Sequence, residues 1–263
     1  MAEVNPIARK GLVYTPPGTD GVRVCSETYA DNLTVDIYES SASGPRPVVV
    51  IAAGYPDEGF QRMIGCRFKD MQCNVDWAKS FATMGMTAVT YTNRAPLSDL
   101  ARVIAFLREN AQALKIDAHR MGVFATSGNA PAALSVVHED NAQWLQCIGV
   151  AYGYLFERPG SSGIAGVAKQ FGFALPPSPA IASLPRKVAW CIARAGRDEM
   201  PHLNASIDGF VADALAANLP ITLFNHPTGP HAFDLMDDSA ESRTIVEGIL
   251  SFFRNRLNGG GAA

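Results

Sequence analysis

The sequence predicts an α/β protein built on a mostly parallel, doubly wound sheet with helices on both faces. Three observations carry that prediction. From residue 48 onward, short apolar runs rich in β-branched residues alternate with longer amphipathic segments. Several of the short runs are apolar on both faces, as strands covered by helices on each side must be. Ahead of them stand two stretches of clean alternation, which read as an antiparallel lead-in pair.

The lead-in pair is VRVCSETY (22–29) and LTVDIYES (33–40), and the first central strand is PVVVIAAG (47–54). A long connection, YPDEGFQRMIGCRFKDMQC (55–73), interrupts the alternation. NVDWAKSFATMG (74–85) reads as a helix with Asn74 as N-cap and Gly85 as stop. After the strand MTAVTYTN (86–93), the segment 96–114 opens with Pro96. It repeats apolar residues at three- and four-residue steps, at Leu100, Val103, Ile104 and Leu107, which predicts a helix. The strands RMGVFATS (120–127), CIGVAYGY (147–154), KVAWCIARAG (187–196) and PITLFNHP (220–227) follow, with helices expected over 131–138, 203–218 and 239–257. A second long connection, 155–186, is rich in Gly, Pro and Ser; residues 156–186 are expected to form a small lid. Both long connections leave the C-terminal ends of strands, where open α/β sheets bind ligands. The tail NGGGAA reads as a flexible end.

The chain of 263 residues is 48% hydrophobic and 18% charged, a balance suited to one domain over 1–263. Its net charge of −3, with no basic run, argues against nucleic acid as a partner. No apolar stretch approaches the ~18–20 residues needed to span a bilayer. The N-terminal residues lack an apolar core and a cleavage site, so a cytoplasmic location is expected. The five cysteines show no metal-ligand spacing, and no metal site is expected. Cys66 and Cys73 lie close enough in sequence to pair on oxidation; in a reducing cytosol they are expected as thiols.

The segment that points to chemistry is Ala125-Thr126-Ser127-Gly128-Asn129, between a strand and a helix. A serine held on a sharp strand-to-helix corner projects its hydroxyl above the sheet, and only small neighbours fit across so tight a turn. Ala125 and Gly128 are small; Asn129 departs from the usual glycine. Alone, the stretch is also compatible with an ordinary turn. Two later strand ends change the balance. Gly196 is followed by Arg197 and Asp198, and His231 lies in the loop after the last strand, within Gly229 to Phe233 (GPHAF). Ser127, Asp198 and His231 thus follow three different strands in the chain order serine, acid, histidine. Glu199 competes with Asp198 for the acid position, and His226 with His231. Motif position favours Asp198 and His231. His119, His138 and His202 are expected on helix ends or the surface.

A serine that attacks a carbonyl also needs donors for the oxyanion. Gly128 N–H is one, and Tyr55 N–H, just past Ala53-Gly54, is expected to be the other. Through AAGYPDEGF, ATSGNAP, AGRDEMP and GPHAF the chain resembles serine α/β-hydrolases of the dienelactone-hydrolase-like and carboxylesterase group, over residues 20–257. Dienelactone hydrolases proper carry a cysteine where this chain has Ser127. The resemblance implies an α/β-hydrolase fold and hydrolysis of small to medium esters through an acyl-enzyme on Ser127, with no cofactor. The implied partner is a small-molecule ester, and a homodimer stays open. Phe156, Phe171 and Phe173, with Leu175, are candidates for an apolar pocket wall or for the lid's own core. Two rival functions also stay open: a ligand-binding or sensor protein with negligible turnover, and an amidase or peptidase.

Overall fold

The computed structural model describes residues 5–157 and 163–259. Its centre is an eight-stranded sheet. Strands β1 (Arg23–Ala30) and β2 (Leu33–Glu39) form the antiparallel pair, and β2 also runs antiparallel to its other neighbour. The remaining strands pair parallel: β3 (Arg46–Ile51), β4 (Thr87–Tyr91), β5 (Ile116–Thr126), β6 (Leu145–Ala151), β7 (Ala189–Ala195) and β8 (Ile221–His226). The spatial order is β1-β2-β4-β3-β5-β6-β7-β8. Strands β3 and β4 are buried along their whole length, as strands covered on both faces must be, including the polar Arg46, Thr87 and Thr90.

The helices are α1 (Asp57–Ile64), α2 (Gln72–Thr83), α3 (Pro96–Glu109), α4 (Ala130–Leu134), α5 (Gly163–Phe171), α6 (Leu203–Ala216), α7 (Phe233–Met236) and α8 (Ala240–Asn258). The crossover through α2 runs one way along the sheet and that through α3 runs the other. Right-handed connections therefore set these two helices on opposite faces. On one face Trp77 and Phe81 of α2 meet Phe124 of β5 and Phe253 of α8, with ring centroids 4.6–6.0 Å apart. A second cluster joins Trp190 of β7 to Phe210 of α6 at 4.8 Å. No helix among the described residues is long and apolar enough to cross a membrane.

Several expected elements are redrawn. The 55–73 connection is not an open loop: it holds α1 and a 3₁₀ turn at Phe68–Asp70. Helix α2 begins at Gln72, so Asn74 lies inside it. There the Asn74 amide donates to the Phe68 carbonyl at 2.9 Å instead of capping. The helix expected over 131–138 is only α4, and α3 stops at Glu109. Cys66 and Cys73 are free thiols. Of the expected lid and tail, residues 158–162 and 260–263 lie outside the described residues. What is described of the expected lid segment includes one regular helix, α5.

Candidate active site

Strand β5 ends at Thr126, and Ser127 turns the chain with φ +54°, in the left-handed region. A non-glycine residue held there costs on the order of 1–3 kcal/mol, which surrounding structure must offset. Part of that support comes from the loop after β3. A methyl group at Gly54 would lie 2.5 Å from the Gly128 carbonyl oxygen and 2.6 Å from the Asn129 α-carbon, so only glycine permits this approach. Asn129 fastens the contact. Its Oδ1 accepts from the Gly54 N–H at 2.8 Å, and its Nδ2 donates to the Thr126 carbonyl at 3.1 Å. The departure from glycine at 129 is therefore a clamp, which the sequence did not announce.

Ser127 Oγ lies 2.9 Å from His231 Nε2, and His231 Nδ1 lies 2.6 Å from Asp198 Oδ2. The Asp198 side chain is 0% exposed and that of His231 is 30% exposed. Asp198 Oδ1 accepts the Met200 N–H at 2.9 Å, which fixes the carboxylate plane, whereas Glu199 is exposed. The loops bearing Asp198 and His231 are joined by backbone bonds, from Gly196 N–H to the His226 carbonyl and from Arg197 N–H to the Gly229 carbonyl. His226 is buried, with Nε2 at 3.0 Å from both Asp237 and Ser242 at the start of α8, so it serves the frame. His119, His138 and His202 are exposed, and His119 lies on β5, not at a helix end.

Behind His231 is a buried group that sequence inspection missed. Tyr152, itself at φ +38°, sets its ring edge-on to the imidazole at a centroid distance of 5.1 Å. Its hydroxyl donates to Asp234 Oδ1 at 2.6 Å, and Trp77 Nε1–H donates to Asp234 Oδ2 at 2.9 Å. Burial pushes the Asp234 carboxyl above its ordinary range, against the pull of both bonds. The only sequence signal for it was its place at the end of GPHAFD.

Of the three candidate wall phenylalanines, only Phe173 comes to the serine. It stacks on Tyr154 at 5.3 Å, meets Tyr55 edge-on at 6.0 Å and closes over Gly128. The segment carrying it is tied to the β3 loop by the bond from Ala174 N–H to the Gly54 carbonyl, 2.8 Å. Phe156 instead packs on Trp190 and Phe210 in the core, and Phe171 ends α5 at 37% exposure. Leu175 is half-buried against the core. The Tyr55 and Gly128 amides have no acceptor among the described residues. The arrangement supplies a hydroxyl on a strained corner, an imidazole to take its proton, a buried carboxylate behind that imidazole and two unspent amides beside it.

No protein-family model and no curated protein matches this chain. Solved structures do match over most of its length. One is an α/β hydrolase enzyme from a Medee basin deep-sea metagenome library: TM-score 0.65, 16% identity, 90% of this chain and 98% of that one. Another is the esterase LipW from Mycobacterium marinum: TM-score 0.66, 20% identity, 91% and 82% covered. A third is a thermophilic esterase from Thermogutta terrifontis: TM-score 0.63, 18% identity, 94% and 97% covered. The chain has the α/β-hydrolase fold.

Proposed function

We propose that this protein is a serine hydrolase that cleaves small to medium carboxylic esters, of the dienelactone-hydrolase-like and carboxylesterase group. The observation behind it is the unbroken run of contacts from Ser127 Oγ through His231 to Asp198, built on a serine held at positive φ. Ser127 Oγ forms a bond to the ester carbonyl carbon while its proton passes to His231 Nε2. The carbonyl oxygen takes up negative charge against the Gly128 and Tyr55 amides. Collapse breaks the bond to the alcohol oxygen, which leaves with the proton from His231. Water then gives a proton to the same nitrogen and attacks the acyl carbon. The acid departs as the proton returns to Ser127. Asp198 holds the imidazole with Nδ1 protonated and stabilises the charged form. These steps need no metal and no organic cofactor.

The test is labelling with a fluorophosphonate, followed by mass-spectrometric mapping. A single adduct on Ser127, lost in Ser127→Ala, is expected. A folded protein that takes up no label, or takes it elsewhere, overturns the proposal.

A further inference from the structure

The tyrosines around Ser127 differ in one respect. Tyr152 donates to Asp234, and Tyr154 donates to the Pro201 carbonyl at 3.0 Å. The Tyr55 hydroxyl has no acceptor among the described residues. It is nevertheless held in place. Its ring is wedged between Phe60 and Phe173, each at 6.0 Å. A methyl group at Gly128 would lie 2.1 Å from the hydroxyl oxygen, so the phenol rests directly over the Gly128 α-carbon. Burial, with Tyr154 nearby, pushes the phenol up to about 12, which keeps it a proton donor at neutral pH.

The donor has a direction to serve. The ring holds the hydroxyl a full side-chain length from the Tyr55 amide, too far for both to meet on one oxygen. If the amide takes the ester carbonyl oxygen, the hydroxyl must serve another atom. The leaving oxygen has to face His231 to receive its proton, which places the alcohol half on the histidine side. The acyl half then lies toward Tyr55, Gly128 and Phe173. We propose that the Tyr55 hydroxyl donates a hydrogen bond to an oxygen on the acyl chain, so that the favoured substrates are esters of short oxygen-bearing acids: alkoxy, hydroxy or oxo acids. This rests on the esterase assignment of Ser127. A site with a donor left without its partner discriminates against the analogue that lacks the acceptor.

The test compares p-nitrophenyl butyrate with p-nitrophenyl methoxyacetate, which differ by one methylene replaced by oxygen. Both are measured in the wild type and in Tyr55→Phe, which keeps the ring and its contacts. Intrinsic reactivity cancels in the ratio of ratios. The expected result is a fall in kcat/KM for methoxyacetate about ten-fold larger than that for butyrate, the scale of one net hydrogen bond. Equal falls on both esters would place the hydroxyl on a group they share, and no change on either would leave it facing water. Both results overturn the assignment to the acyl chain while esterase activity stands. A wild type that cleaves neither ester and is not labelled at Ser127 overturns the esterase reading itself, and this inference with it.

Discussion

Asn129 shows how much of the site depends on a side chain that performs no chemistry. Among the described residues its carboxamide is the only acceptor for the buried Gly54 N–H, one residue before Tyr55. Asn129→Ala should cost about 1–3 kcal/mol, the usual penalty for an orphaned buried donor. Because the β3 loop loses its anchor, kcat should fall more than KM rises. Thermal unfolding and steady-state kinetics on one preparation check both effects, and unchanged stability would show that the bond carries no weight. Ser127→Ala should lower kcat by on the order of 10⁶ with the fold intact. Asp198→Asn should lower it by roughly 10⁴, because the amide favours the wrong imidazole tautomer, while Glu199→Gln stays near wild type. If the two acids trade places in that experiment, the assignment is off by one residue. Ser127, Asp198 and His231 were legible because each follows a strand and the three come in a fixed order. Asn129 was not, because its meaning lies in a partner 75 positions away.

At the level of elements, the sequence displayed the strands and concealed the short helices. A buried parallel strand is mostly apolar on both faces, and the runs 48–51 of β3, 121–125 of β5 and 147–151 of β6 advertise this directly. Helix α1 spans only two turns, and its apolar residues Phe60, Met63 and Ile64 make too short a repeat to stand out from a loop. The expected lid is similar: α5 buries Ile164, Val167 and Ala168, and the following chain brings Phe173 beside Gly128. A cover of this size should confine the acyl chain. For p-nitrophenyl esters, kcat/KM should rise slightly with acyl length and then fall beyond about C4–C6. Phe173→Ala should move that fall to longer chains. Phe156→Ala should leave the profile alone but destabilise the protein by about 3–5 kcal/mol, since it opens a cavity beside Trp190 and Phe210. A monotonic rise to C12 in the wild type would mean that nothing covers the acyl site.

Across the whole molecule, composition and alternation conveyed a doubly wound sheet, but not that β4 would insert between β2 and β3. Strand order depends on which way each crossover runs, and periodicity holds no record of that. The buried Asp234 is a property of the assembled molecule as well, since α2, β6 and the histidine loop all converge on it. Its carboxyl is raised in the fold, so the folded state holds this proton more tightly than the unfolded chain does. Stability from this group is therefore greatest at low pH and is lost as pH climbs from the ordinary aspartate value of about 3.9 toward the raised one. Asp234→Asn can still accept from Trp77 and donate to the Tyr152 hydroxyl. Its stability relative to wild type should improve between pH 4 and pH 7 in chemical denaturation, and a trend the other way would contradict the burial argument. The histidine has one more consequence, which concerns time. His231 follows β8, an edge strand, and its partner Ser127 is 104 positions earlier in the chain. Contacts of that span form late, after the long loop between them has been closed. During refolding, burial of Trp144, whose partners Asn141 and Arg108 lie nearby in sequence, should be complete while Ser127 still lacks its contact with His231. Fluorophosphonate reactivity should return with a measurable lag behind tryptophan fluorescence, so a chain that has just folded its central strands passes through a compact interval without chemistry.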